Sequence, residues 1–146
     1  MTNDTHLEPL VQSDLALADG EPDVRGNQVI DSAGSDLGRV EALYVDGEER
    51  RVRFLLVKGG GILGIGDTTR LVPVEAIDAY DVGSVRLRED GERVTGAPRY
   101  DPKLVEQQDY WEDVYGWYGY PPYWATGAAG FVGLYPYPGP GPVRKA

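Results

Sequence analysis

RRVRFLLVKGGGILGIGDTTRLVPVEAI, residues 50–77, decides the fold. An apolar run meets five glycines and continues into a second apolar segment, which is the pattern of two strands joined by a turn. Val52, Phe54 and Leu56 share one face, because side chains alternate along a strand. In the preceding segment Val40, Ala42 and Tyr44 do the same. Closing the two around Gly47-Glu48-Glu49 places Tyr44 opposite Val52, Ala42 opposite Phe54 and Val40 opposite Leu56, all facing a core. A one-residue slip would set Tyr44 against Arg51, so burial of one face selects the first register. The other face carries Leu43, Val45, Leu55 and Val57 among charged residues, an apolar content that asks for a cover.

Outward from this hairpin, Val24 to Asp31 reads as a first strand, followed by the turn formers Ser32 to Asp36. Arg70 to Val74 resumes an extended course that Pro73 ends or confines to an edge. Ile77 to Tyr80 and Ser84 to Arg88 are two further short strands. About six short strands with tight turns imply a mainly β fold, a small antiparallel β-barrel. Beyond it, Asp101 suits a helix cap, Pro102 the first helical position and Gly116 the stop. Leu104, Val105, Gln108, Trp111 and Tyr115 then form one stripe at helical spacing. A barrel of roughly 60 to 75 residues buries only about three-fifths of its unfolded surface, so docking that stripe would help it. The face with Leu43 and Leu55 is one candidate dock.

The organisation expected is an acidic, disordered arm (1–23), a β-barrel (24–100), a helix (101–116) and an aromatic, Gly/Pro-rich tail (117–146). The chain has 24 acidic and 14 basic residues, a net charge of -10. Such a field repels phosphate backbones and disfavours nucleic acid as a partner. Six acidic residues against Arg25 alone lie in the first 25 positions, whereas residues 26–100 carry 13 acidic and 10 basic, nearly balanced. No cysteine is present, which excludes disulfides, thiolate nucleophiles and cysteine-based metal sites. The sole histidine, His6, lies in the arm and is given no role. The N-terminus lacks the basic and apolar regions of a leader, and no stretch is long and apolar enough to span a bilayer, so a soluble, cytoplasmic protein is expected.

Motifs for chemistry fail one by one. Gly59, Gly61 and Gly64 satisfy GxGxxG after a strand, but a phosphate cradle needs the loop to open a helix, and ILGIGDTTRLVPV continues as strand. The carboxylates at Asp46, Glu48 and Glu49, and at Asp31 and Asp36, match no EF-hand spacing and sit at turns beside solvated arginines. No cofactor, metal site or catalytic residue is expected. The aromatic segment remains: all three tryptophans and seven of the ten tyrosines fall between Tyr110 and Tyr137. Such rings either cover the barrel or anchor a partner. The candidate protein contacts are Leu43, Leu55, Val57, Trp111, Trp117, Tyr118, Tyr120, Tyr123 and Trp124. Pro121-Pro122-Tyr123-Trp124 misses the PPxY order by one place, and PxxP does not occur.

Val29-Ile30-Asp31 with Gly34, Leu37-Gly38-Arg39-Val40, Leu43-Tyr44-Val45-Asp46, Val52 to Lys58, the glycine loop and Leu71-Val72-Pro73-Val74 before Ile77 come in an order that resembles the PRC-barrel family. That family is named for the cytoplasmic subunit of the photosynthetic reaction centre and is shared by ribosome maturation factors. Ala97-Pro98-Arg99-Tyr100-Asp101 looks like its usual exit from the barrel. The resemblance implies a non-enzymatic adaptor or docking barrel of a stand-alone bacterial type, some of which are associated with stress responses. It supplies no catalytic residues. Three functions follow as expectations: a protein-interaction module with an unknown partner, a homo-oligomer, or a small-molecule or metal-ion binder.

Overall fold

The computed structural model describes residues 7–12, 15–17, 23–46, 51–59, 68–81, 83–105, 107–120, 122 and 143–145. The strands are β1 (Leu7–Pro9), β2 (Leu15–Leu17), β3 (Gln28–Ile30), β4 (Asp36–Asp46), β5 (Arg51–Gly59), β6 (Thr68–Pro73), β7 (Ile77–Asp81), β8 (Ser84–Leu87) and β9 (Val143–Lys145). Two helices, α1 (Gly91–Thr95) and α2 (Gln108–Tyr118), follow β8. The main sheet runs β6-β5-β4-β3-β8-β7, with β1 added to the far half of β4. The fold is mainly β with a C-terminal helix, as the strand pattern implies. Two details depart from an all-antiparallel barrel. β8 lies parallel to β3, because the β7–β8 hairpin returns the chain in the same direction as β3. No ladder joins β6 to β7. Pro73 at the end of β6 leads into a 3₁₀ turn at Val74–Ala76, and the free edge of β6 instead receives the Tyr100 N–H at the Thr69 carbonyl, 3.1 Å. Pro73 thus sits on an edge strand, where its missing N–H costs nothing.

The central hairpin corrects the expected register. Asp46 pairs with Arg51, one residue further than the three-residue closure required. Two bulges then shift the ladder, one at Arg53 on β5 and one at Glu41 on β4. Tyr44 therefore faces Phe54, and Ala42 faces Leu56. Each bulge also flips the alternation. One side of the hairpin holds Ala42, Tyr44, Phe54 and Leu56; the other holds Val40, Leu43, Val45, Val52, Leu55 and Val57. Both are covered. Leu43 and Leu55 have no exposed surface, and Tyr44 and Phe54 are buried as well.

Helix α2 covers the Tyr44–Phe54 side, not the candidate Leu43–Leu55 side. The Trp111 ring lies 5.6 Å from Tyr44 and 4.8 Å from Phe54, and Tyr115 lies 4.9 Å from Phe54. The Tyr44 hydroxyl meets that of Tyr100 at 2.8 Å. The helix also starts later than Asp101-Pro102 suggests. Asp101 does cap locally, accepting the Lys103 N–H at 2.9 Å, and the segment turns once. The Trp111 indole then takes the Val105 carbonyl at 2.9 Å, the acceptor that a continuous helix would offer to the Asp109 N–H. Gly116 lies inside α2, and Gly119, at φ +84°, ends it.

Within the arm, β1 pairs with Asp46, Val45 and Tyr44, and Leu7 and Leu10 are buried. β3 covers only the first half of β4, so the second half has an open edge that the arm fills. β9 pairs with β2, setting Ala16 opposite Arg144.

Glu75 is buried in the 3₁₀ turn, and among the described residues its Oε1 has no hydrogen-bond partner. Burial pushes its carboxyl above the ordinary 4.5, while its own N–H and the charge of buried Arg53 pull the other way. The folded chain holds a proton there that the unfolded chain has released, so this group's contribution falls as pH rises from 4.5 through the raised folded value. Glu75→Gln should therefore stabilise the chain by about 1 kcal/mol at pH 7.5 and leave it unchanged at pH 4, read by urea unfolding at both. Gly38, at φ +129°, passes so close to β5 that a Cβ would collide with the Lys58 carbonyl and Gly59 Cα. Gly38→Ala should cost about 3 kcal/mol in the same measurement.

Candidate interaction surface

The corner where α1 meets the end of α2 brings an arginine and a tryptophan together at the surface. α1 forms because the Asp90 side chain accepts the Arg93 N–H at 2.8 Å and Val94 anchors the turn in the core. Two residues before its stop, α2 presents Trp117. The indole N–H donates to the Arg93 carbonyl, and the Arg93 guanidinium donates to the Trp117 carbonyl at 2.9 Å. The same guanidinium sits 5.9 Å over the ring. Beneath the ring lies Gly96, where a Cβ would stand 2.8 Å from the indole. These contacts fix the ring, yet it remains 40% exposed. A tryptophan held open by reciprocal hydrogen bonds has little rotamer freedom left to lose on binding.

The base of the corner is positively charged. Arg70, nearly buried on β6, donates to the Thr95 carbonyl at 3.0 Å and to the Thr69 carbonyl at 3.2 Å. Arg99 bridges to it across the strand edge. Burial, with the Arg99 charge adding, lowers the Arg70 pKa. Tyr118 lies within this electrostatic environment, and burial, reinforced by Glu89, pushes its phenol up. Among the described residues its hydroxyl has no hydrogen-bond partner. Tyr110 donates to the Arg99 carbonyl at 2.8 Å, and burial pushes its phenol up to about 12.

The nine residues singled out from the sequence separate into three groups. Leu43, Leu55 and Val57 are buried on one side of the sheet; Trp111 is buried on the other; Tyr118, the last residue of α2, and Tyr120 just beyond it are buried too. Trp117 is exposed. Tyr123 and Trp124 lie outside the described residues, as does the glycine loop at 60–67. The rings of Trp111, Tyr115, Tyr118 and Tyr120 thus cover the sheet. Arg93, Gly96 and Arg99 were not among the expected residues. The signal that locates them is Asp90-Gly91-Glu92-Arg93, a cap with an acidic first turn, which marks α1 and hence the support for Trp117.

The Asp31 carboxylate has a structural role. Asp31 accepts the N–H groups of Ser35 at 2.7 Å, Ala33 at 3.0 Å and Gly91 at 3.0 Å, tying the turn after β3 to the start of α1. These amides, Ser35 foremost, hold its carboxyl below the usual range. Among the described residues no three His, Cys, Asp or Glu side chains are grouped to hold a metal ion. Among the same residues, no helix is long and apolar enough to cross a membrane.

The model of the PRC-barrel domain family matches residues 21–93, half of the 146. No curated protein matches the chain. The match runs from the residues just before β3 through the whole run β3–β8 to the first turn of α1. The chain belongs to the PRC-barrel domain family.

Proposed function

We propose that this chain is a non-enzymatic interaction module of the cytoplasm, an adaptor that contacts another protein, or a second copy of itself, through the corner of Trp117, Arg93 and Arg99. The observation that carries this reading is the fixed, 40% exposed Trp117 ring, held by Arg93 on a short capped helix. Trp and Arg are the residue types that dominate binding energy at protein interfaces, and they do so where they are rigid before contact. The sheet supplies that rigidity, because both sides of the central hairpin are packed and α2 is bound to it through Trp111 and Tyr115.

Affinity capture from the native cell tests the reading. Trp117→Ala should weaken capture of the partner at least tenfold, about the cost of losing one interface anchor, while the melting temperature moves by only a few degrees. A set of captured proteins unchanged by the substitution would refute it.

A further inference from the structure

At the end of the sheet away from α2, an open groove of about 610 Å³ is lined by Leu37, Gly38 and Arg39 of β4, Lys58 and Gly59 of β5, and Thr95 of α1, among others. Its volume is that of a small-molecule site, and most of its surface is apolar. The ladder places Arg39 directly opposite Lys58, so two cations share one rung of the hairpin. Like charges at that position repel. No carboxylate bridges them among the described residues. The Arg39 guanidinium donates instead to the Gly26 carbonyl at 3.0 Å, and Lys58 is exposed with no ion-pair partner there. The two acidic residues on the rim do not resolve this. The Asp36 carboxylate is engaged by the Gly38 N–H at 2.9 Å, and Glu41 is the bulge residue with no place on the ladder. Gly38 is what brings the two strands this close, since a side chain there would strike the Lys58 carbonyl.

We propose that this groove binds a small amphipathic anion, an aryl or short alkyl carboxylate or sulfonate. Its charged end lies between Arg39 and Lys58, and its apolar body lies along Leu37 and the glycine backbone. The site adjoins the Trp117 corner at Thr95, but its two cations, Arg39 and Lys58, take no part in that corner. A bound anion relieves the repulsion across the rung, which is why the pair is tolerated at the mouth of an apolar groove.

The chain should bind 8-anilinonaphthalene-1-sulfonate saturably at one site, read by fluorescence titration, and decanoate should displace the dye. Lys58→Glu and Lys58→Gln should each weaken binding at least tenfold, whereas Lys103→Glu, exposed and outside the groove, should leave it within twofold. Lys58→Glu sets an opposite charge against Arg39, so the ligand-free variant should melt no lower than the parent, which separates lost binding from lost folding. Lys58 variants that bind the dye like the parent, or dye binding that never saturates near one equivalent, would overturn the proposal.

Discussion

The structure depends on one contact, the packing of Trp111 against Tyr44 and Phe54. A sheet of this size has two apolar sides and encloses only one of them. Burying the second requires an element from outside the family-matched segment, and α2 is that element. Trp111 is fully buried, and its indole N–H is satisfied by the Val105 carbonyl, so the ring brings a large apolar area without an unpaired donor. Tyr44 and Tyr100 close the same side through their hydroxyls. Burial pushes the Tyr44 phenol well above its ordinary value, so it stays a neutral hydrogen-bonding group at physiological pH. Removing the helix would expose the rings of Tyr44 and Phe54.

Much of this was legible from residues 36–88. The short strands fall where apolar residues alternate and turn formers cluster, Pro73 marks an edge strand, and Leu55-Leu56-Val57 in unbroken succession signals that both sides are buried. What could not be read was which side receives the helix. Arg53 looks like an outward-facing residue in perfect alternation, yet it sits at a bulge and is buried. A bulge adds one residue and leaves no mark in the alternation itself, so a single sequence finds the hairpin but misses its rungs and the side that Val40 and Val52 face. The late start of α2 has a similar cause: Asp101-Pro102 is a sound local signal overridden by a tertiary bond from Trp111.

The candidate surfaces follow from what packing leaves over. Most of the aromatic segment within the described residues is consumed in covering the sheet, which leaves Trp117 as the ring available for contact. Its support was hard to foresee, because α1 is only five residues long and is held by a single cap and by Val94. The groove at Arg39 and Lys58 depends on register alone. Nineteen positions separate the two residues in sequence, and the bulge at Glu41 cancels the shift made at Arg53, so that they stand on the rung which the Asp46–Arg51 closure sets.

The most direct test of this account is urea unfolding of a chain carrying Trp117→Phe and Trp124→Phe, so that Trp111 is the only tryptophan. Its fluorescence would be followed beside the far-ultraviolet circular dichroism of the strands. If α2 is an integral wall of the barrel, the two signals fall together in one transition with the same midpoint. A Trp111 signal lost at lower urea, while the strand signal persists, would show that the sheet stands without the helix and would contradict the account.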